Sequence, residues 1–293
     1  MLKWFNLGEW VTPGELPADD LVHTFYFWRC AELTAKSATA LGNLTEAKHF
    51  LELANATKKA FQKRFYIEAK GSYGAAGGNI FALIMGVPEN QYQKVIAALK
   101  RDIKASNGHL DTGIFGTQFF FEVLSENGMH DLAYEAMNKK EEPGYGRWLE
   151  LGATTTWEKW DFDGSHNHPM FGGGLVWYYR KLAGMNSDEN EPGYRHIIFK
   201  PQPVDEVSYA KYYNHTSYGE TGIYWEKTEN DFAMKVTVPV GCSATVYVPA
   251  GKNQMVLESG NPVVNTEYLK ISNHENEYRK YKVISGRYVF NVQ

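Results

Sequence analysis

Apolar residues recur at helical spacing through the first two thirds of the chain. Between residues 19 and 41, Leu21, Phe25, Trp28, Leu33 and Ala38 follow a 3.6-residue period, with Asp19 or Asp20 placed to cap the start and Gly42 to stop the end. Ala47, Phe50, Leu51, Ala54, Phe61 and Phe65 repeat the pattern behind a cap at Asn43 or Thr45. So short a link makes the two helices antiparallel neighbours. Further helices are predicted at about 78–86, 89–105, 115–127, 129–140 and 171–182, with Gly, Pro or Asn at the breaks. A run of α-hairpins with almost no strand pattern closes naturally into a toroid of helix pairs.

The pattern changes at Asn186-Ser187-Asp188-Glu189-Asn190-Glu191-Pro192-Gly193, a polar stretch with the composition of a linker. Beyond it, period-two segments are predicted at 195–200, 207–213, 222–227, 232–238, 244–248, 280–284 and 287–292. They predict an antiparallel β-sandwich. The expected organisation is a mainly helical domain over 1–187 followed by an all-β domain over 193–293.

Composition agrees with two globular domains. The chain has 293 residues, 43% apolar, 22% charged and 15% aromatic, enough apolar material for a sizeable core. Thirty Lys and Arg against 34 Asp and Glu leave a net charge of −4, which offers nothing to nucleic acid or to an anionic membrane. No apolar run reaches the roughly 18 residues of a membrane span. Cys30 and Cys242 are too few for a disulfide framework or a Cys-rich zinc site. The excess lies in aromatics, with 8 Trp, 19 Tyr and 16 Phe. Such rings fill cores, and their flat faces also suit the C–H faces of sugars. The first ten residues hold Trp4 and Trp10 and no secretory signal, so the chain is expected to begin inside a domain and its compartment is not readable.

One region concentrates chemistry. Gly152-Ala153-Thr154-Thr155-Thr156-Trp157-Glu158-Lys159-Trp160-Asp161 is followed by Ser165-His166-Asn167-His168-Pro169-Met170-Phe171-Gly172-Gly173-Gly174, in a gap between predicted helices. His166 and His168 with Asp161 or Asp163 could chelate a divalent ion, but His at i,i+2 is not a common zinc spacing and no Cys is near. Gly172–Gly174 lacks the spacing and Lys of a phosphate loop, and suits close packing or backbone approach to a ligand. Glycoside hydrolysis needs two carboxyl groups across the scissile bond, and Glu158, flanked by tryptophans, has the setting for one of them. A structural Glu158 paired with Lys159 or Arg180 fits the local pattern equally well.

The 152–158 element with Asn167-His168 downstream resembles the bacterial α-L-rhamnosidases of glycoside hydrolase family 78. Gly8-Glu9-Trp10 is similar to that family's Gly-Asp-Trp element, with Glu for Asp. Thr112-Gly113-Ile114-Phe115-Gly116-Thr117 is similar to its threonine-glycine stretch, and Pro192-Gly193-Tyr194-Arg195 with Pro201 to its junction with the C-terminal sandwich. The resemblance runs along nearly the whole chain. It implies an (α/α)6 toroid of which residues 1–187 form about the second half, followed by the sandwich. It implies inverting hydrolysis of terminal α-L-rhamnosides with two carboxyl groups and no metal or organic cofactor. Glu158 takes the place of the general base. His168, Trp4 and Trp10 take the places of substrate-binding residues. The family's general acid lies in an Asp-Glu-Arg-rich motif ahead of Gly-Asp-Trp. This chain holds no such motif, so the acid is expected before Met1. The implied partner is a rhamnose-containing oligosaccharide or glycoside, met in the periplasm or outside the cell. A half toroid is also expected to be inactive alone, to expose flanks such as Phe119–Phe121, and to self-associate. Two rival readings are another (α/α)6 sugar-active enzyme such as a polysaccharide lyase, and a non-catalytic carbohydrate-binding protein. Few Arg and Lys near Glu158 count against the lyase.

Overall fold

The computed structural model describes residues 8–14, 16–74, 76–229, 231–272, 275 and 277–293. The chain forms two compact units divided between Gly174 and Leu175.

The first unit is helical: α1 (Asp19–Ala40), α2 (Leu44–Phe65), α3 (Ala76–Met85), α4 (Glu89–Ala105), α5 (Thr117–Glu126), α6 (His130–Met137), α7 (Tyr145–Glu150) and the start of α8 (Gly172–Trp177). The first two form the expected hairpin. Gly42 takes a left-handed φ of +75°, which lets its N–H reach Thr39 O and that of Asn43 reach Ala38 O. Asn43 then caps α2 by accepting from Glu46 N at 3.3 Å. The antiparallel course brings Arg64, near the end of α2, onto Asp20 at the start of α1. Neither Asp19 nor Asp20 is the cap. That place falls to Ala18, which has no side-chain bond, and the two acids sit in the first turn, where they favour the positive end of the helix.

Phe25, fully buried, anchors the core, its ring 4.7 Å from Phe81 and 5.4 Å from Phe119. The expectation that Phe119–Phe121 faces solvent is overturned. The three are 8%, 0% and 1% exposed. Phe119 packs against Phe25 and Phe81, and Phe121 against Tyr145, within this unit. The large apolar side chains that do face water include Phe27, Leu41, Leu44 and Leu51, on and around the α1–α2 hairpin. Helix α7 escaped the sequence pattern because six residues are too few to show a period.

The second unit begins with the rest of α8 and a π-helical turn over Tyr178–Leu182. Among the described residues nine strands follow: β1 (Met185–Ser187), β2 (His196–Phe199), β3 (Tyr209–Thr216), β4 (Gly219–Lys227), β5 (Phe232–Pro249), β6 (Val256–Glu258), β7 (Asn261–Pro262), β8 (Leu269–Ile271) and β9 (Tyr278–Val292). The polar stretch expected to be only a linker contains most of β1, which pairs with β2. Segments predicted as four strands are two long ones, β5 and β9, with a register break between Val238 and Ser243. The first half of β5 pairs with β4 and the second half with β2. At the other edge β6 takes the end of β9, and β8 its earlier part. The sheet therefore folds over on itself. Tyr281 and Phe290, from opposite halves of β9, stack at 5.2 Å inside it. All pairings are antiparallel except β2 with β5, so the sandwich is mixed by one parallel pair.

Candidate active site

Residues 156–168 form an irregular hairpin. His168 N donates to Thr156 O at 2.8 Å, and Thr156 Oγ1 donates to His168 O at 2.7 Å. One step along, Glu158 N donates to Ser165 O at 2.8 Å, and Thr155 Oγ1 reaches His166 O. Glu158 and His168 thus lie on facing arms of one hairpin, both half-buried. Ser165 N donates to Glu158 Oε2 at 3.2 Å, which leaves Oε1 free of any bond to the described residues. Gly164 makes this approach possible. Its φ is +79°, and a Cβ there would lie 3.1 Å from Glu158 Oε2.

The structural reading of Glu158 as an ion-paired residue is not met. Lys159 turns to Asp163 at 2.8 Å, and Arg180 Nε donates to Asn186. What holds the hairpin is aromatic. Trp157 and Trp160 are 3% and 4% exposed. Trp160 stacks on Trp148 at 4.3 Å and lies 4.4 Å from Phe171. Trp157 stacks on His166 at 4.2 Å and lies 5.9 Å from Trp148. Tyr145, also in this cluster, donates its hydroxyl to Phe171 O at 2.6 Å. These tryptophans are anchors, not pocket walls. His168 Nδ1 is buried and has no hydrogen-bond partner among the described residues.

Gly172–Gly174 opens α8 against this module. A Cβ on Gly173 would lie 2.8 Å from Gln118 Cβ, and one on Gly174 would run into the Tyr145 hydroxyl and the Phe121 ring. The triplet serves close packing. With His166 stacked and Asp163 paired, no group of three His, Cys, Asp or Glu able to hold a metal occurs among the described residues.

A second cluster joins through Gln118. The Gly8–Trp10 stretch docks on the loop before α5, where Trp10 O accepts from Ile114 N at 3.0 Å. Glu9 Oε1 accepts from Phe115 N at 2.8 Å and Gly116 N at 3.0 Å. Thr117 Oγ1 braces the loop by donating to Gly113 O at 2.7 Å. Glu9 is 2% exposed, and its Oε2 is buried with no hydrogen-bond partner among the described residues. Burial pushes its carboxyl up to about 7, and the N–H groups of Gly116, Phe115 and Gly113 offset only part of that. Asp111, one residue before the loop, is also pushed up to about 7, by burial and then by the charge of Asp102. Sequence reasoning passed over Asp111. Its only signal is a lone acid between Leu110 and the threonine-glycine loop. Trp10 is half-buried, and no ring contact or hydrogen bond among the described residues ties it to Glu158 or His168. Trp4 lies outside the described residues.

The comparisons with known proteins meet these elements. Residues 2–182 match the family model described as the bacterial α-L-rhamnosidase 6-hairpin glycosidase domain. The chain belongs to this family. The likeness continues past the helices, for residues 184–261 match the family model described as the bacterial α-L-rhamnosidase C-terminal domain. An α-L-rhamnosidase of Streptomyces avermitilis is 28% identical over 274 residues, covering 89% of this chain and 26% of that protein. One from Formosa agariphila is 28% identical over 311 residues, covering 98% of this chain and 33% of its own length. Among solved structures, the α-L-rhamnosidase of Dictyoglumus thermophilum superposes with a TM-score of 0.87 at 37% identity, over 98% of this chain and 34% of that one. The S. avermitilis enzyme, solved with L-rhamnose, gives 0.87 at 26% identity over 98% and 28%. The chain thus spans about a quarter to a third of the length of the α-L-rhamnosidases it matches.

Proposed function

We propose that this chain supplies the general-base side of an inverting α-L-rhamnosidase site, acting on rhamnose-containing oligosaccharides or glycosides. The observation that carries the reading is the 156–168 hairpin, which holds the Glu158 carboxylate by one oxygen and leaves the other free, with His168 on the opposite arm. Glu158 Oε1 accepts a proton from water as that water attacks the anomeric carbon. The bond to the leaving oxygen breaks on the opposite face through an oxocarbenium-like transition state. The Ser165 N–H fixes the carboxylate so that the free oxygen points one way throughout. The His168 ring binds a sugar hydroxyl through the Nδ1 that finds no partner among the described residues. Trp10 walls the sugar site. A carboxylic acid from sequence outside these residues protonates the leaving oxygen, and the greater length of the related enzymes has room for it.

The test is Glu158→Gln in an enzyme that contains this segment together with the rest of its catalytic domain. Turnover of an aryl α-L-rhamnoside falls by about 10²–10⁴-fold while rhamnose still binds, because general base catalysis contributes about that much. Activity within about tenfold of the parent means that another residue is the base.

A further inference from the structure

We propose that the outer face of the β3–β4–β5–β9 half of the sandwich is a binding surface for an acidic, uronate-bearing oligosaccharide, separate from the Glu158 hairpin. Strand β3 alternates strictly between exposed and half-buried positions, which puts Lys211 and Tyr213 on its open face. The registers extend that face across the sheet. Lys211 pairs with Tyr224 and Tyr224 with Lys235, so two ammonium groups flank a tyrosine along one row. In the neighbouring row Tyr213 pairs with Gly222, Gly222 with Thr237, and Thr237 with Arg287. A groove of about 490 Å³ is lined by Lys211, Tyr213, Lys235, Thr237 and Arg287, with Glu220 at its side.

Two features mark it as built to receive something. Gly222 has no side chain, and a Cβ there would run into the Tyr213 ring. The ring therefore lies down over the sheet, with Tyr213 still 41% exposed, and offers a flat face to solvent. The cations are also held without neutralisation. Lys211 Nζ sits 5.1 Å from the centre of the Tyr213 ring, and Lys235 Nζ 5.5 Å from that of Tyr224. Neither lysine nor Arg287 forms an ion pair among the described residues. The acid lining the groove, Glu220, lies 3.9 Å from His215, and Glu226, one row beyond, accepts the Tyr224 hydroxyl at 2.6 Å.

Exposed rings suit the C–H faces of sugars, and unpaired cations beside them select an acidic sugar over a neutral one. Lys211 and Lys235 stand two strands apart, about 9–10 Å, a span that a short stretch of saccharide bridges. Arg287, with the Thr237 hydroxyl beside it in the row, presents the planar fork that matches a carboxylate.

The experiment is a calorimetric titration of the whole chain with an oligogalacturonate. Saturable binding that weakens as salt rises is expected. Lys235→Glu with Arg287→Glu should weaken it about tenfold or more, since two attractive pairs become repulsive. Tyr213→Ala should weaken it severalfold and Tyr213→Phe should retain it, because the ring face is what binds. An unchanged melting temperature of each variant shows that the fold is kept, and Lys235→Gln gives a milder test if the reversal is not tolerated. The proposal is overturned by no binding, by equal binding of a neutral oligosaccharide, by equal or tighter binding of dextran sulfate or single-stranded DNA, or by an affinity indifferent to the charge reversals.

Discussion

Replacing Glu9 by Gln should change how the protein's stability depends on pH. Glu9 is 2% exposed, with two backbone N–H groups on Oε1 and an Oε2 that has no hydrogen-bond partner among the described residues. The Tyr26 hydroxyl in the same pocket is itself pushed up, by burial and then by the Glu9 charge. The folded-state value for Glu9 rises from its ordinary 4.5 to about 7. A raised carboxyl binds more protons folded than unfolded between these values, so stability falls as pH climbs through that window. The whole displacement is worth about 3 kcal/mol at about 1.4 kcal/mol per pH unit, and about 2.5 kcal/mol of it falls between pH 5 and 8. Gln keeps the acceptor for Phe115 and Gly116 and cannot ionise. Denaturant unfolding of both proteins at pH 5 and pH 8 reads the difference directly. The parent should lose about 2.5 kcal/mol more than Glu9→Gln across that interval. Asp111, raised by burial and then by the charge of Asp102, with no contribution from Glu9, acts alike in both proteins and cancels. Losses that agree within about 0.5 kcal/mol would refute the reasoning, since Glu9 would then be as free to ionise as in the unfolded chain.

Two further outcomes follow from single atoms of the site. His168→Ala should weaken binding of free L-rhamnose to a complete enzyme by about 0.5–1.5 kcal/mol, roughly two- to tenfold, while leaving the pH profile of turnover in place. An unchanged inhibition constant would show that His168 only packs. Tyr145→Phe removes the buried 2.6 Å bond to Phe171 O and should cost about 1–2 kcal/mol in chemical denaturation, and a loss too small to measure would show that water already serves that carbonyl.

Long amphipathic helices were legible because period and punctuation agreed. Leu21, Phe25 and Trp28 all face the core of α1, and Gly42 and Asn43 end one helix and begin the next as their chemistry requires. What escaped was short or depended on distant partners. Helix α7 shows too little of a period, and β1 hides in a polar stretch because its pairing with β2 rests on backbone bonds rather than on apolar side chains. Strands β5 and β9 looked like four because Gly241 and Gly286 interrupt the alternation at the bend. Glu9 was visible as a motif position, but its burial was not. That depends on a loop more than 100 residues away, which no local pattern reports.

The Trp-Glu-Lys-Trp run shows how adjacency in sequence can mislead about geometry. Neighbouring side chains on an extended arm point to opposite faces. Trp157 therefore goes into the aromatic cluster because Glu158 goes out of it, and the bend that follows returns Trp160 to the same cluster. Burying an aromatic side chain is worth about 1.5–3 kcal/mol. The single Ser165 bond to the carboxylate is worth about 1.5–3 kcal/mol if charge-assisted and less if not. Two buried tryptophans bracketing Glu158 therefore dominate the placement of the arm, and the hydrogen bond sets only the carboxylate's rotation. Such an anchor also leaves the carboxylate without an ion pair among the described residues, as the proposed base role requires. Under the proposed function, a ring that stacks on the sugar has to come from a different element, because the tryptophans beside the glutamate are already committed to holding it still.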